Sequence, residues 1–204
     1  MATMIIDTEA APVIDGPAQG HWTYADWERL PEDGQRYEVL DGVLYMTTAP
    51  HSFHQWITRR LERFIGIPAE DQGLAYSFAA PFGVLMPGCA PVQPDYVVIL
   101  KTNAGDFHAG RFWGVPDVIV EVLSPGNSTY DTDTKLHLYE RAGVPEYAII
   151  DPRARTLQHY RLGTSGVYAA PQLADESARV TFACLPTIAV PVAELFAGAP
   201  DTSY

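Results

Sequence analysis

Three residues of this chain have types and placements that could do hydrolytic chemistry: Asp95 in QPDYVVIL, Glu121 in PDVIVEVLSP and Lys135 in DTKLHLYERAG. Glu121 interrupts a valine–isoleucine run of the kind wanted by a strand buried on both faces. A carboxylate there is costly unless it is paired, hydrated or bound to a metal. Two-residue alternation puts Asp95 on the same face as Val97 and Ile99, at the entry to a second apolar strand. Lys135 falls with Leu138, Tyr139 and Ala142 at i, i+3, i+4 and i+7, the helical stripe that should face a sheet. Two carboxylates and an ammonium converging at a sheet end suit a hard divalent cation, Mg²⁺ or Mn²⁺. Such an ion takes one or two protein carboxylates, keeps several waters and leaves room for a phosphate oxygen. It would polarise a phosphodiester and acidify a bound water. A nearby ammonium would orient that water or offset charge building on the phosphate.

Each residue also has a plain structural alternative. Proline–aspartate before a strand is ordinary turn chemistry, for Pro94-Asp95 as for Pro116-Asp117. Glu121 could be paired with an arginine, and Lys135 could pack its stem while its charge escapes to water. Asp117 competes with Asp95 as partner of Glu121, but it lies four residues away on the same strand. At ~3.3 Å per residue that is about 13 Å, too far to share one ion. Glu38, a charge within RYEVLDG, is a candidate supporting carboxylate. His51 and His54, three apart at a helix start, permit shared metal binding, although capping or packing also explains them; of the two, His54 could face the site. Ser124 has no GxSxG elbow around it, and no GxxxxGK[ST] or GxGxxG loop occurs, which removes serine-hydrolase and common nucleotide-binding classes.

Elements able to position these groups follow from local pattern. TYADWERLP predicts a short helix capped by Thr23 and ending before Pro31. RYEVLDGVLYMTTAP predicts a hairpin turning at Asp41-Gly42. Phe53, Trp56, Ile57, Leu61 and Phe64 predict a helix from about Ser52 to Ile65. Strands are expected around LAYSFAAPFGVLM, at 94–100 and at 117–123. DTDTKLHLYERAGVPEYAIIDP then reads as a helix, a Gly143 stop and a strand at 146–151. A hairpin, TLQHYRLGTSGVYAA, and a small segment containing VPVAELF follow. The fold class is α/β (α+β), with a loose lead-in over residues 1–20 and one domain over 21–204.

The chain has 204 residues, enough for one sizeable core, with ordinary globular composition of 47% hydrophobic and 19% charged residues. No apolar run approaches the ~20 residues of a membrane span, and the start lacks a secretory signal, so a cytoplasmic location is expected. Cys89 and Cys184 lack metal-ligand spacing and read as reduced structural thiols. The net charge of −12, from 13 Lys plus Arg against 25 Asp plus Glu, gives no global basic footprint for nucleic acid. A DNA-binding role therefore needs a local patch or metal ions; Arg59, Arg60, Arg63, Lys101 and Arg111 are the patch candidates.

The succession RYEVLDG, SFHQWI, QPDYVVIL, PDVIVEVLSP and TKLHLYERAGVPEYAIIDP resembles the Uma-two-like restriction-endonuclease family of the PD-(D/E)XK nuclease superfamily, over roughly residues 23–162. The resemblance implies a restriction-endonuclease-like core, a mixed β-sheet flanked by helices, and a Mg²⁺- or Mn²⁺-dependent endonuclease acting on DNA. Asp95 matches the aspartate of the PD motif and Glu121 the acid of the (D/E)XK motif; both would be metal ligands. The motif lysine belongs two residues after the acid, where this chain has Leu123, and Lys135 matches a helix lysine of the family that could supply the missing ammonium. The other reading is a catalytically inactive nuclease-fold module for binding or assembly. DNA is the partner implied, with a homodimer as one assembly to test and no membrane.

Overall fold

The computed structural model describes residues 4–5, 14–31, 33, 36–47, 50–87, 89, 91–103, 105–124 and 130–203. Much of the expected N-terminal lead-in lies outside them, as do residues 125–129, which include the end of LSPGNS. A short strand β1 (Met4–Ile5) is followed by helix α1 (Tyr24–Trp27). Thr23 caps α1 with its hydroxyl while the Asp26 carboxylate accepts from the Thr23 amide, closing a capping box. Strands β2 (Arg36–Leu40) and β3 (Val43–Thr47) form the expected hairpin. Both turn residues are left-handed, Asp41 at φ 49° and Gly42 at φ 75°, as a two-residue hairpin turn matching strand twist requires.

The helical run after the hairpin is longer than the periodicity suggests. Helix α2 (Ser52–Leu61) passes through a π-helical segment, Glu62–Gly66, into α3 (Ile67–Asp71). Pro68 does not stop it, because it falls in the first turn of α3, where a missing N–H is cheapest. Then come β4 (Ala75–Ala79), β5 (Val84–Leu85), β6 (Tyr96–Leu100), β7 (Asp106–His108), β8 (Arg111–Trp113) and β9 (Val118–Val122). A second π-helical segment, Tyr130–Lys135, leads into α4 (Leu136–Ala142), which Gly143 ends in the left-handed region. Strands β10 (Glu146–Asp151), β11 (Thr156–Arg161), β12 (Gln172–Ala174), β13 (Arg179–Thr181) and β14 (Ala189–Pro191) and helix α5 (Val192–Phe196) complete the chain. The β7–β8 hairpin carries little signal in the sequence: its strands are three residues long, and its turn, Ala109-Gly110, lacks the usual Asn or Asp.

A six-stranded mixed sheet, ordered β12-β11-β10-β9-β6-β4, organises the fold. Only β9 and β10 pair in parallel, and α4 is the crossover between them that parallel neighbours require. One sheet face packs Val98, Val118, Val120 and Ile150 against Phe53, Ile57 and Leu61 of α2 and against Leu195 and Phe196 of α5. The other packs Val97, Ile99, Ile119 and Ile149 against Leu138 and Tyr139 of α4. Every residue of β9 is buried, Glu121 included. Each fully buried aliphatic side chain contributes about 1.5–3 kcal/mol. Two or three neighbours of this kind offset the several kcal/mol that desolvating one ion costs.

Candidate active site

The register between β6 and β9 brings the two acids together. Tyr96 pairs with Val120, Val97 with Ile119 and Val98 with Val118; one step further places Asp95 opposite Glu121, just beyond the ladder's end. Both side chains follow the alternation onto the α4 face, with Val97 and Ile99 on one strand and Ile119 and Leu123 on the other. The acids also close the ladder. The Val122 amide donates to Asp95 Oδ2 at 2.9 Å, and the Asp95 amide to Glu121 Oε2 at 3.3 Å.

Lys135 reaches this pair from the helix. Its Nζ donates to Glu121 Oε1 at 2.9 Å and lies 3.6 Å from Glu38 Oε2. The ammonium does not escape to water, since only 4% of the lysine side chain is exposed. Glu38, fully buried on β2, is held by the Gln93 amide at 2.6 Å. His54, on α2, places Nε2 2.9 Å from Asp95 Oδ2. A carboxylate accepts, so Nε2 carries the proton; Nδ1 is buried with no hydrogen-bond partner. The structure thus gathers Asp95, Glu121, Lys135, Glu38 and His54 at one end of the sheet, whereas His51 stays exposed at the N-cap of α2 without capping through its side chain.

Asp117 stands apart, as its distance along β9 requires. Its Oδ2 accepts from the Leu100 amide and from Asn103 Nδ2, both at 2.8 Å, which ties the loop after β6 to the start of β9. Two participants escaped the sequence reading. Tyr139 counts there only as part of an apolar stripe, yet its hydroxyl donates to Glu121 Oε1 at 2.7 Å. Burial, reinforced by the Glu121 charge, pushes its pKa well up, so it stays a neutral donor. Gln93 carried no signal, because a backbone amide does the work. Tyrosine four residues after the lysine, on the same stripe, was the one readable hint.

Among the described residues, and counted formally, Glu38, Asp95 and Glu121 bring three negative charges and Lys135 one positive, all on residues no more than 7% exposed. Asp95 and Glu121 offer hard oxygen donors on adjacent strands, and Lys135 and Tyr139 both engage Oε1 of Glu121, leaving Oε2 toward Asp95. Among the described residues no group of three or more His, Cys, Asp and Glu is arranged to hold a metal. Asp95 and Glu121 would be the two carboxylates offered to a hard divalent ion, the remaining ligands being water.

A mixed sheet flanked by helices, with an acid pair at the end of two adjacent central strands, defines a nuclease-like fold. The chain belongs to the Uma2 family, described as "Putative restriction endonuclease", whose model matches residues 24–193. Its structure is similar to the crystal structure of "a putative nuclease belonging to DUF820 from Anabaena variabilis". The TM-score is 0.72 at 20% sequence identity, over 85% of this chain and 97% of that one. At that identity the likeness establishes the fold. No curated protein matches the chain in sequence. Among the described residues no helix is long and apolar enough to cross a membrane.

Proposed function

We propose that this protein is a metal-dependent endonuclease that hydrolyses phosphodiester bonds of DNA in the cytoplasm. The observation that carries the reading is the cross-strand placement of Asp95 and Glu121 with Lys135 Nζ 2.9 Å from Glu121. Asp95 and Glu121 would hold Mg²⁺ or Mn²⁺. When bound, such an ion supplies Lewis-acid polarisation of the phosphate and a water acidified for attack. The remaining roles belong to the chain itself. His54 and the Val122 amide fix Asp95 Oδ2, and Tyr139 and Lys135 fix Glu121 Oε1, so neither carboxylate must reorganise to bind. Lys135, held between Glu38 and Glu121, is the cation beside the reacting phosphate. It comes from the last residue of the π-helical segment that leads into α4, and Leu123, which stands where the superfamily keeps its lysine, is packed into the core.

A second reading, an inactive module that keeps the fold for binding, is favoured by one observation. Lys135 already bridges two carboxylates, so the cluster is a structural ion network even without chemistry. Cleavage of varied DNA substrates with Mg²⁺ or Mn²⁺, alongside Glu121→Gln, separates the two. The nuclease reading expects cutting that chelator and Glu121→Gln both abolish. Cutting by Glu121→Gln at the parent's rate would sink the site, and inert parent protein would favour the module.

A further inference from the structure

We infer that the edge strand β4 and the β7–β8 hairpin form a stacking ledge for an unpaired DNA strand leading into the proposed nuclease site, an inference that rests on that reading for its direction. Tyr76 and Phe107 are 46% and 45% exposed and adjoin, so they form a contiguous aromatic patch rather than scattered surface rings. They meet edge to face, with centroids 5.7 Å apart; Phe107 in turn lies 5.6 Å from Phe78, and Phe78 stacks on Phe82 at 4.1 Å. Lys101 holds its ammonium 5.5 Å from the centre of the Tyr76 ring. A strand of bases could lie on this row with its phosphates toward Lys101.

Register aims the row at the acids. Tyr76 lies opposite Ile99 and Phe78 opposite Val97; continuing the ladder, Ala80 comes opposite Asp95, and the Ala80 amide donates to the Asp95 carbonyl at 3.0 Å. Tyr76, Phe78 and Asp95 therefore share the face that carries Glu121 and Lys135. At ~3.3 Å per residue, Phe78 and Tyr76 stand about 7 and about 13 Å from Asp95 along the strand direction. The only acid on β7, Asp106, alternates to the other side of its strand from Phe107.

Charge explains why the occupant should be unpaired DNA. A protein with net charge −12 has little to spend on neutralising phosphates. Two of the basic candidates are already engaged, Arg60 with Glu194 and Arg111 with Glu28 and the Tyr24 hydroxyl. Stacking of bases on aromatic rings needs no net positive charge, accepts any sequence, and is closed to bases that remain inside a duplex.

The test is equilibrium binding of a fluorescein-labelled oligo-dT and of a matched duplex to Glu121→Gln protein, so that cleavage does not interfere, with the same substitutions then assayed for cutting in the active background. The single strand should bind at least tenfold tighter than the duplex, with a shallow salt dependence. Tyr76→Ala and Phe107→Ala should each weaken oligo-dT about tenfold, and Phe107→Trp should retain binding. Circular dichroism shows that each variant is folded. If folded Tyr76→Ala and Phe107→Ala bind oligo-dT like the parent, or if duplex binds equally well, the ledge falls even when the protein cuts DNA. If binding depends on Tyr76 and Phe107 but the parent never cuts, the ledge stands and the nuclease reading fails. If the substitutions convert a dimer to a monomer by light scattering and leave oligo-dT binding unchanged, the patch is a self-association face and the inference is overturned.

Discussion

The central sheet buries ionised side chains at two opposite corners, and the two corners are built differently. On the α4 face, toward the end of β9, the described residues gather Glu38, Asp95 and Glu121 near one ammonium; Lys135 bridges Glu38 and Glu121, and Asp95 is paired with His54. On the other face, at the start of β10, the carboxylate of Glu146 has His159 at 2.8 Å, Arg161 at 3.5 Å and the Cys184 amide at 3.2 Å. Glu146 pairs in register with Val118, the first residue of β9, whereas Glu121 is its second last. The Glu146 corner is what a buried carboxylate looks like when its purpose is to hold loops together: the contact fastens the segment before β14 to the sheet. The thiol of Cys184, pushed up to about 12 by burial and by Glu146, is a packed group and no nucleophile. The other corner gathers three of the described carboxylates about one ammonium, and it is there that the proposed cation would sit.

The largest break in this contrast should come from Lys135→Ala. In the active protein, cleavage is expected to fall a hundredfold or more in single-turnover assays. Removing the lysine that bridges two buried carboxylates typically costs about 3–5 kcal/mol as well, and thermal melts without metal should show it. Leu123→Lys added to Lys135→Ala should partly restore cutting; no recovery would count against an ammonium that has moved from strand to helix.

Next in size, Glu146→Gln should cost about 1–3 kcal/mol at neutral pH by unpairing His159, with cleavage unchanged. Its sign with pH is fixed. Burial alone would raise the Glu146 pKa, but hydrogen bonds from His159 and the Ala183 and Cys184 amides outweigh it and hold the carboxyl below its ordinary value. The stability it lends is therefore present above the ordinary glutamate pKa of about 4.3 and is lost as pH falls through the lower folded value. Parent protein should lose stability over that acid range, and Glu146→Gln should lose less.

Smaller still, Mg²⁺ should stabilise the parent by about 1.4 kcal/mol at tenfold excess over Kd. Glu146→Gln should keep that gain in thermal melts and Glu121→Gln should lose it. A gain equal in both would erase the distinction between the corners. At the bottom of the scale, Arg141→Ala removes a 2.8 Å pair between α4 and Asp41 of the β2–β3 turn. Both partners are more than half exposed, so denaturant melts should move by less than about 1 kcal/mol.

Much of the frame was legible because its signals are local. Thr23 before a helix, Asp41-Gly42 between two strands, and Gly143 at a helix end each encode their conformation within a few residues. The site residues were legible for a different reason, since a charge that interrupts an apolar strand or stripe announces a partner elsewhere. What stayed hidden is what register decides. Nothing near Asp95 says that it stands opposite Glu121, and nothing near Glu38 says that its strand delivers it to Lys135. Tyr139 hid because its ring satisfies the apolar pattern while its hydroxyl does separate work. The β7–β8 and β13–β14 pairs were too short for alternation to rise above noise.

The dispersal of the Glu121 corner along the chain sets when it can exist. Its members run from Glu38 to Tyr139, and the contact from Glu38 to Lys135 closes a loop of nearly a hundred residues. Such non-local closures form late in folding. Helix α4 is also the last contributor to leave the ribosome, at roughly 5–20 residues per second. A nascent chain carrying Asp95 and Glu121 but not yet Lys135 and Tyr139 has no finished cluster. Whatever the completed protein does to nucleic acid, synthesis itself withholds until the crossover has been made.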